Sequence, residues 1–123
     1  IVVDTTVPLV PPKVSRGQLP EGGSIAKLAQ KILGKNVKLV SALQTVAATS
    51  LDSGQPMKGH VLVCGNDVEA RTVIISLIEA IGLKGWHAGS IENSVVSESL
   101  TPVLIFLNKR YELSGSGIRI VEH

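Results

Sequence analysis

Hydrophobic positions in this chain fall into two kinds of run. Short continuous stretches, "IVVDTTV" (1–7), "NVKLVSAL" (36–43), "HVLVCG" (60–65) and the weaker "KGWHAG" (84–89), are mostly β-branched or aliphatic. Such runs predict strands covered on both faces, since a strand with one wet face would alternate. Elsewhere the apolar residues recur at helical spacing. Ile25, Leu28, Ala29, Ile32 and Leu33 follow Ser24, a good N-cap, and Gly34 closes the segment. Val73, Ile74, Leu77, Ile78 and Ile81 form a second stripe, which Asn66 caps with Glu69 as its partner and Gly82 ends. "PLVPPKVSRGQLPEGG" (8–23) carries four prolines and three glycines and reads as a long loop. "QTVAATSLDSGQPMKG" (44–59) is irregular or briefly helical, and "GIRIVE" (117–122) is a final strand.

One stretch breaks the stripe rule. "SIENSVVSESLTPVLIFL" (90–107) is predicted helical from about Glu92 to Tyr111, yet its polar residues are segregated lengthwise. Ser94, Ser97, Glu98, Ser99 and Thr101 precede Pro102, and almost pure aliphatic sequence follows. A surface helix keeps its polar residues on one side along its length. Here the first turns are expected to face a cavity and the last turns a core.

The order β-loop-α-β-β-α-β-α-β has no repeats and implies an α/β fold with a largely parallel sheet and flanking helices. At 123 residues the chain is one unit. Its opening directly on a strand, without an initiator Met, reads as part of a longer protein. The dinucleotide fingerprint GxGxxG is absent: "GSGIRI" (115–120) lacks the third glycine and follows a helix. There is no P-loop.

Composition narrows the chemistry. Phe106, Trp86 and Tyr111 are the only aromatics, too few for base-stacking platforms. Net charge is +2 with scattered basic residues, and Lys27, Lys31, Lys35 and Lys38 read as a solvated helix face, so nucleic acid is not an expected partner. Cys64 is alone, which points to a reducing, cytoplasmic setting, and His60, His87 and His123 lack metal-ligand spacing. No apolar run approaches the roughly 20 residues of a membrane span. Asp4, Cys64 and His87 are read as structural. "VSALQTVAAT" (40–49) differs in kind, because ligands collect beyond the carboxyl ends of strands in parallel sheets. Its small side chains permit close approach of a flat ring.

"VSALQT", "VLVCGND" and "AGSIENSVVSESLTP", in this order, resemble the second half of the NADPH-dependent reductases of the deazaflavin coenzyme F420. A more distant similarity runs to the NADPH-binding cytosolic domains of the Steap ferric reductases. The resemblance covers nearly all of residues 1–121. It implies the second half of a Rossmann-like fold, ending near residue 59, and a C-terminal deazaflavin-cleft subdomain over 60–123. It also implies NADP and coenzyme F420 as cofactors, with a hydride passing directly between them and no metal. By resemblance Gln44 and the backbone at Val46 border the deazaflavin, Ser99 donates to it, and Ser116 contacts it. Ala48 lies where backbone holds the nicotinamide carboxamide. Asn93, Ser94 and Glu98 match the same motif and are expected to orient helix and loop. Family members often carry His where this chain has Gln44, which can hydrogen-bond but cannot become cationic. No residue is assigned as a catalytic acid or base.

Two other functions stay open at this level. One is an NADPH-dependent flavin or ferric reductase on the same scaffold. The other is a non-catalytic domain that packs against a separate Rossmann partner. The flat apolar strand at 1–7 is expected to pair with another chain, giving a homodimer or a complex with the missing N-terminal half.

Overall fold

The computed structural model describes all 123 residues. Four strands, β1 (Val2–Asp4), β2 (Leu39–Ser41), β3 (His60–Gly65) and β4 (Lys84–His87), form one open sheet in the order β1-β2-β3-β4. The helices are α1 (Ile25–Leu33), the short α2 (Ala48–Asp52), α3 (Val68–Ala80) and α4 (Ser94–Arg110), the last entered through a 3₁₀ turn at Ile91–Asn93. The fold is α/β with a mostly parallel sheet and flanking helices, as the alternation of elements implies. β1 pairs parallel with β2 and β3 parallel with β4, whereas β2 and β3 run antiparallel, with Ser41 opposite Cys64. At that junction Gly65 is required, since a Cβ there would sit 2.9 Å from the Leu39 carbonyl oxygen.

Alternation along β2 separates two cores. Val40 faces one side and packs with Ala42, Val61, Val63, Ala70, Ile74, Ile78 and Leu83 under α3. Leu39 faces the other side and meets Ala26 of α1 and Ile91. Ser24 caps α1 as expected, its Oγ accepting from the Lys27 N–H at 3.0 Å. On α3 the cap is Asp67, not Asn66. The Asp67 carboxylate accepts from the Ala70 N–H at 2.7 Å, which holds its pKa below the ordinary range. Asn66 instead accepts from the Ile91 N–H at 3.0 Å and so fastens the approach to α4.

Three further expectations are corrected. β1 is not covered on both faces: Ile1, Val2 and Val3 are exposed, because this edge strand has one neighbour and no helix over it. The stretch 117–122 is no strand, only a single antiparallel bridge between Ile118 and His60. The predicted stripes are broader than the buried ones. Only Ala26 of α1 is buried, with Ile32 75% exposed, and on α3 the buried residues are Ala70, Ile74 and Ile78. Periodicity finds the apolar face of a helix, but a four-stranded sheet is too narrow to cover all of it.

Leu77 and Ile78 therefore make a paired test, being 60% and 2% exposed on adjacent positions of α3. Ile78→Ala should lower unfolding free energy by about 2–5 kcal/mol as a cavity substitution. Leu77→Ala should stay within about 0.5 kcal/mol, the scale of a surface change. Chemical denaturation would measure both.

Candidate functional site

The end of β2 is built by a strained turn. After Ser41 the chain reaches Leu43, which adopts φ 72°, a left-handed conformation that costs a non-glycine residue about 1–3 kcal/mol. Its side chain is kept in place by packing against the α3 core. The turn carries Gln44 back beneath the sheet, where it is 5% exposed. Gln44 Nε2 donates to the Asp4 carbonyl at 3.0 Å and to Ser41 Oγ at 2.8 Å. Its main-chain carbonyl accepts from Thr101 Oγ1 of α4 at 2.7 Å. Three elements thus grip one residue. Gln44 Oε1 nevertheless has no partner, although buried. Leaving such an acceptor unpaired costs about 1–3 kcal/mol, a cost that a ligand donor would remove.

The chain past Gln44 runs into α2. Val46 is half-buried against the core and Ala48 is the exposed first residue of that helix. Val46 and Ser116 both line a cleft of about 720 Å³ between the α2 region and the C-terminal segment. Ser116 Oγ lies 3.4 Å from the Leu104 carbonyl, to which it donates. Lys58 and Arg119 are the charged residues of this lining. Ser99 is half-buried on α4 but, two residues before Thr101, it sits about 160° around the helix from the Gln44 contact. The structure brings Gln44 together with Ser41 and Thr101, and Val46 with Ser116; Ser99 and Ala48 stand apart from both groups. Thr101 and Leu43 were not singled out as site residues. A hydroxyl one turn after Ser97 hints at Thr101, whereas nothing in the sequence signals the left-handed turn.

Asn93, Ser94 and Glu98 are committed to the scaffold. Asn93 Nδ2 donates to the Ala88 carbonyl at 2.9 Å. Ser94 Oγ meets Ser24 Oγ at 2.9 Å. Glu98, 1% exposed, accepts from the Ile25 N–H at 2.7 Å and the Ala26 N–H at 3.1 Å, the first amides of α1. The expected division of α4 is therefore reversed. Its polar turns, at Ser94, Ser97 and Glu98, are the buried ones, while Val103 and Phe106 beyond Pro102 are exposed and only Pro102 and Leu104 are covered. Burial pushes the Glu98 carboxyl above the ordinary range, against the two amides that favour its charge, and the nearby Asp4 charge adds to the rise. Burial likewise pushes the Cys64 thiol up to about 11, with Arg71 opposing and Glu98 adding, so the thiol is a poor nucleophile. No cluster of His, Cys, Asp or Glu is placed to hold a metal ion, and no helix is long and apolar enough to cross a membrane.

No family model matches the chain. Curated proteins do. It is 42% identical over 125 residues to the F420-dependent NADP reductase of Methanocaldococcus jannaschii, covering 98% of this chain and 56% of that protein. The F420-dependent NADP reductase of Methanothermobacter thermautotrophicus is 29% identical over 126 residues, again with 98% of this chain and 54% of that protein. Among solved structures, a candidate F420-dependent NADP-reductase from Arthrobacter sp. FB24 superposes with a TM-score of 0.79 at 24% identity, covering 98% of this chain and 56% of that one. That likeness shows the fold. A hypothetical protein from Sinorhizobium meliloti superposes with a TM-score of 0.60 at 25% identity over 76% of this chain. The fold is the α/β scaffold that these proteins share. More narrowly, this chain is similar to the F420-dependent NADP reductases, and it spans about half the length of the curated relatives it matches.

The buried Glu98 contact predicts a pH effect of definite sign. A carboxyl whose folded pKa is raised binds its proton more tightly in the folded state. Its stabilising share is full in acid and is lost as pH rises through the raised value. The melting-temperature gap between wild type and Glu98→Gln should therefore be most favourable to wild type in acid and shrink as pH rises above the ordinary carboxyl range. A gap that is flat, or that grows with pH, would contradict the assignment.

Proposed function

We propose that this chain is the portion of an F420-dependent NADP reductase that frames the deazaflavin ring, a hydride passing between NADPH and coenzyme F420. The observation that carries this reading is the buried, unpartnered Oε1 of Gln44 beneath the carboxyl end of β2. A flat heterocycle with ring N–H groups is the ligand such an acceptor suits. Small residues at Ala47 and Ala48 leave room for its face. The bound pair of cofactors supplies the redox chemistry itself, and the protein's part is alignment and exclusion of water.

In this reading Gln44 accepts from the ring, the backbone at Val46 borders it, and Ser116 closes it from the C-terminal segment. The backbone at Ala48 holds the nicotinamide end and Ser99 donates from the other flank of α4. Asn93, Ser94 and Glu98 fix the helix that carries Ser99. No side chain has to move a proton. In this reading the Rossmann-like part ends near residue 59 and the cleft subdomain follows it, the two sharing the core in which Val40 and Ala42 meet Val61 and Val63. The exposed β1 edge, Val2–Asp4, fits pairing with a second copy or with an N-terminal half, and the lone buried thiol suits a cytoplasmic setting.

Titration of the chain with coenzyme F420, followed by its visible absorbance, tests the reading, and absence of binding defeats it. NADP alone should bind more weakly than about 1 mM, since the GxGxxG turn is not in these residues. Ser99→Ala should weaken F420 binding about threefold to a hundredfold, leaving the melting temperature unchanged. Leu104→Ala, at a buried position, should do the reverse and cost about 2–5 kcal/mol of stability. Loss of stability without loss of affinity in Ser99→Ala would remove Ser99 from the site.

A further inference from the structure

The C-terminal segment forms one wall of the cleft: residues 114–119 line it opposite Val46, Ala47 and Ser50. This wall has no secondary structure beyond the bridge at Ile118. From Ser114 onward it is tied to the body by three hydrogen bonds. One is the long Ser116 contact to Leu104. The other two go to a single residue, His60 at the start of β3. The His60 N–H donates to the Ile118 carbonyl at 2.9 Å, and the Ile120 N–H donates to His60 Nδ1 at 2.9 Å.

His60 Nδ1 accepts a second bond. The indole N–H of Trp86 donates to it at 3.1 Å, and the two rings lie 5.9 Å apart at 40°. The two donors share the single lone pair of Nδ1, which therefore acts as an acceptor in this arrangement. The indole orients the imidazole, β3 anchors it, and the imidazole in turn holds Ile120. Lys84 stacks over the outer side of Trp86, 5.2 Å from its centre, and pairs with Glu79 at 3.4 Å. Gly59, just before His60, has φ +111°, and a Cβ there would lie 3.5 Å from the Ile118 carbonyl oxygen, so the segment runs close to the backbone.

We propose that His60 is a positioning residue of the cleft: through Nδ1 it clamps the C-terminal segment and so sets how tightly the cleft holds its ligand, without touching it. The ligand class rests on the reading of the cleft given above, but the clamp is independent of it. Trp86 is the only tryptophan, so its indole N–H resonance is identified without ambiguity and reports on the clamp.

The test compares three variants by amide hydrogen exchange and the Trp86 indole signal. His60→Ala should speed exchange at Ile120 about threefold to tenfold and shift the indole resonance, with α3 protection unchanged. His60→Asn places a carbonyl oxygen near the position of Nδ1 and should restore both. His60→Gln places its oxygen near Nε2 instead and should not. Unchanged exchange in His60→Ala, or equal rescue by Asn and Gln, overturns the clamp. If His60→Ala fails to fold, the Asn and Gln pair still decides. Coenzyme F420 titrations separate the two claims. No binding to wild type defeats the reading of the cleft, whereas equal affinity in wild type and His60→Gln defeats the positioning role.

Discussion

Everything on the α1 side of the sheet depends on one buried carboxylate. Helix α1 contributes a single buried side chain, Ala26, so hydrophobic burial alone does little to hold it. What fixes it is Glu98 of α4, which takes the N–H groups of Ile25 and Ala26, together with the Ser24–Ser94 hydroxyl pair. The first amides of a helix have no partner of their own, and their positive end favours a negative group. Removing the carboxyl would leave those buried amides unpaired, at about 1–3 kcal/mol each. A directional contact also fixes an angle, which greasy packing would leave loose. Through it α4 is held in register with the sheet, and Thr101 is brought to the Gln44 carbonyl.

Much of the architecture was legible in the sequence. The spacing of Ile25 to Leu33 after Ser24, and the continuous run at 60–65, marked a helix and a strand that are present with nearly those bounds. Local chemistry decides such elements. Where coverage decides, sequence was silent. "IVVDTTV" has the composition of a buried strand, yet the edge of a sheet offers it only one neighbour. Asn66 and Asp67 are equally good caps, and the choice between them turned on which side chain Ile91 required. "GIRIVE" has strand composition but meets only the first residue of β3.

The candidate site is marked in the sequence by likeness more than by chemistry. Small residues after β2 drew attention to Gln44, but its unpaired oxygen depends on Leu43 taking a left-handed turn, which no leucine advertises. The hydroxyls before Pro102 looked like a ligand-facing row. Ser94 and Glu98 are instead spent on α1, and Thr101 on the main chain of Gln44. On α4, polar residues packed inside and apolar ones left outside, at Val103 and Phe106, reverse the usual arrangement. Hydrogen-bond direction places this helix, so its outer surface is left apolar.

The antiparallel step between β2 and β3 has a consequence for what can be bound. Because β3 runs back, its carboxyl end and the start of α3 lie beside the beginning of β2, where Asp67 meets Lys38 at 3.6 Å. The positive end of α3 is therefore on the far edge of the sheet from Gln44, and that of α1 is occupied by Glu98. Neither long helix that follows a strand here has a free positive end at the carboxyl end of β2. A ring seated at Gln44 would meet only neutral hydrogen bonds and contact there, interactions that dissolved salt screens little. Any salt dependence of a ligand in the neighbouring cleft would come instead from Lys58 and Arg119 of its lining.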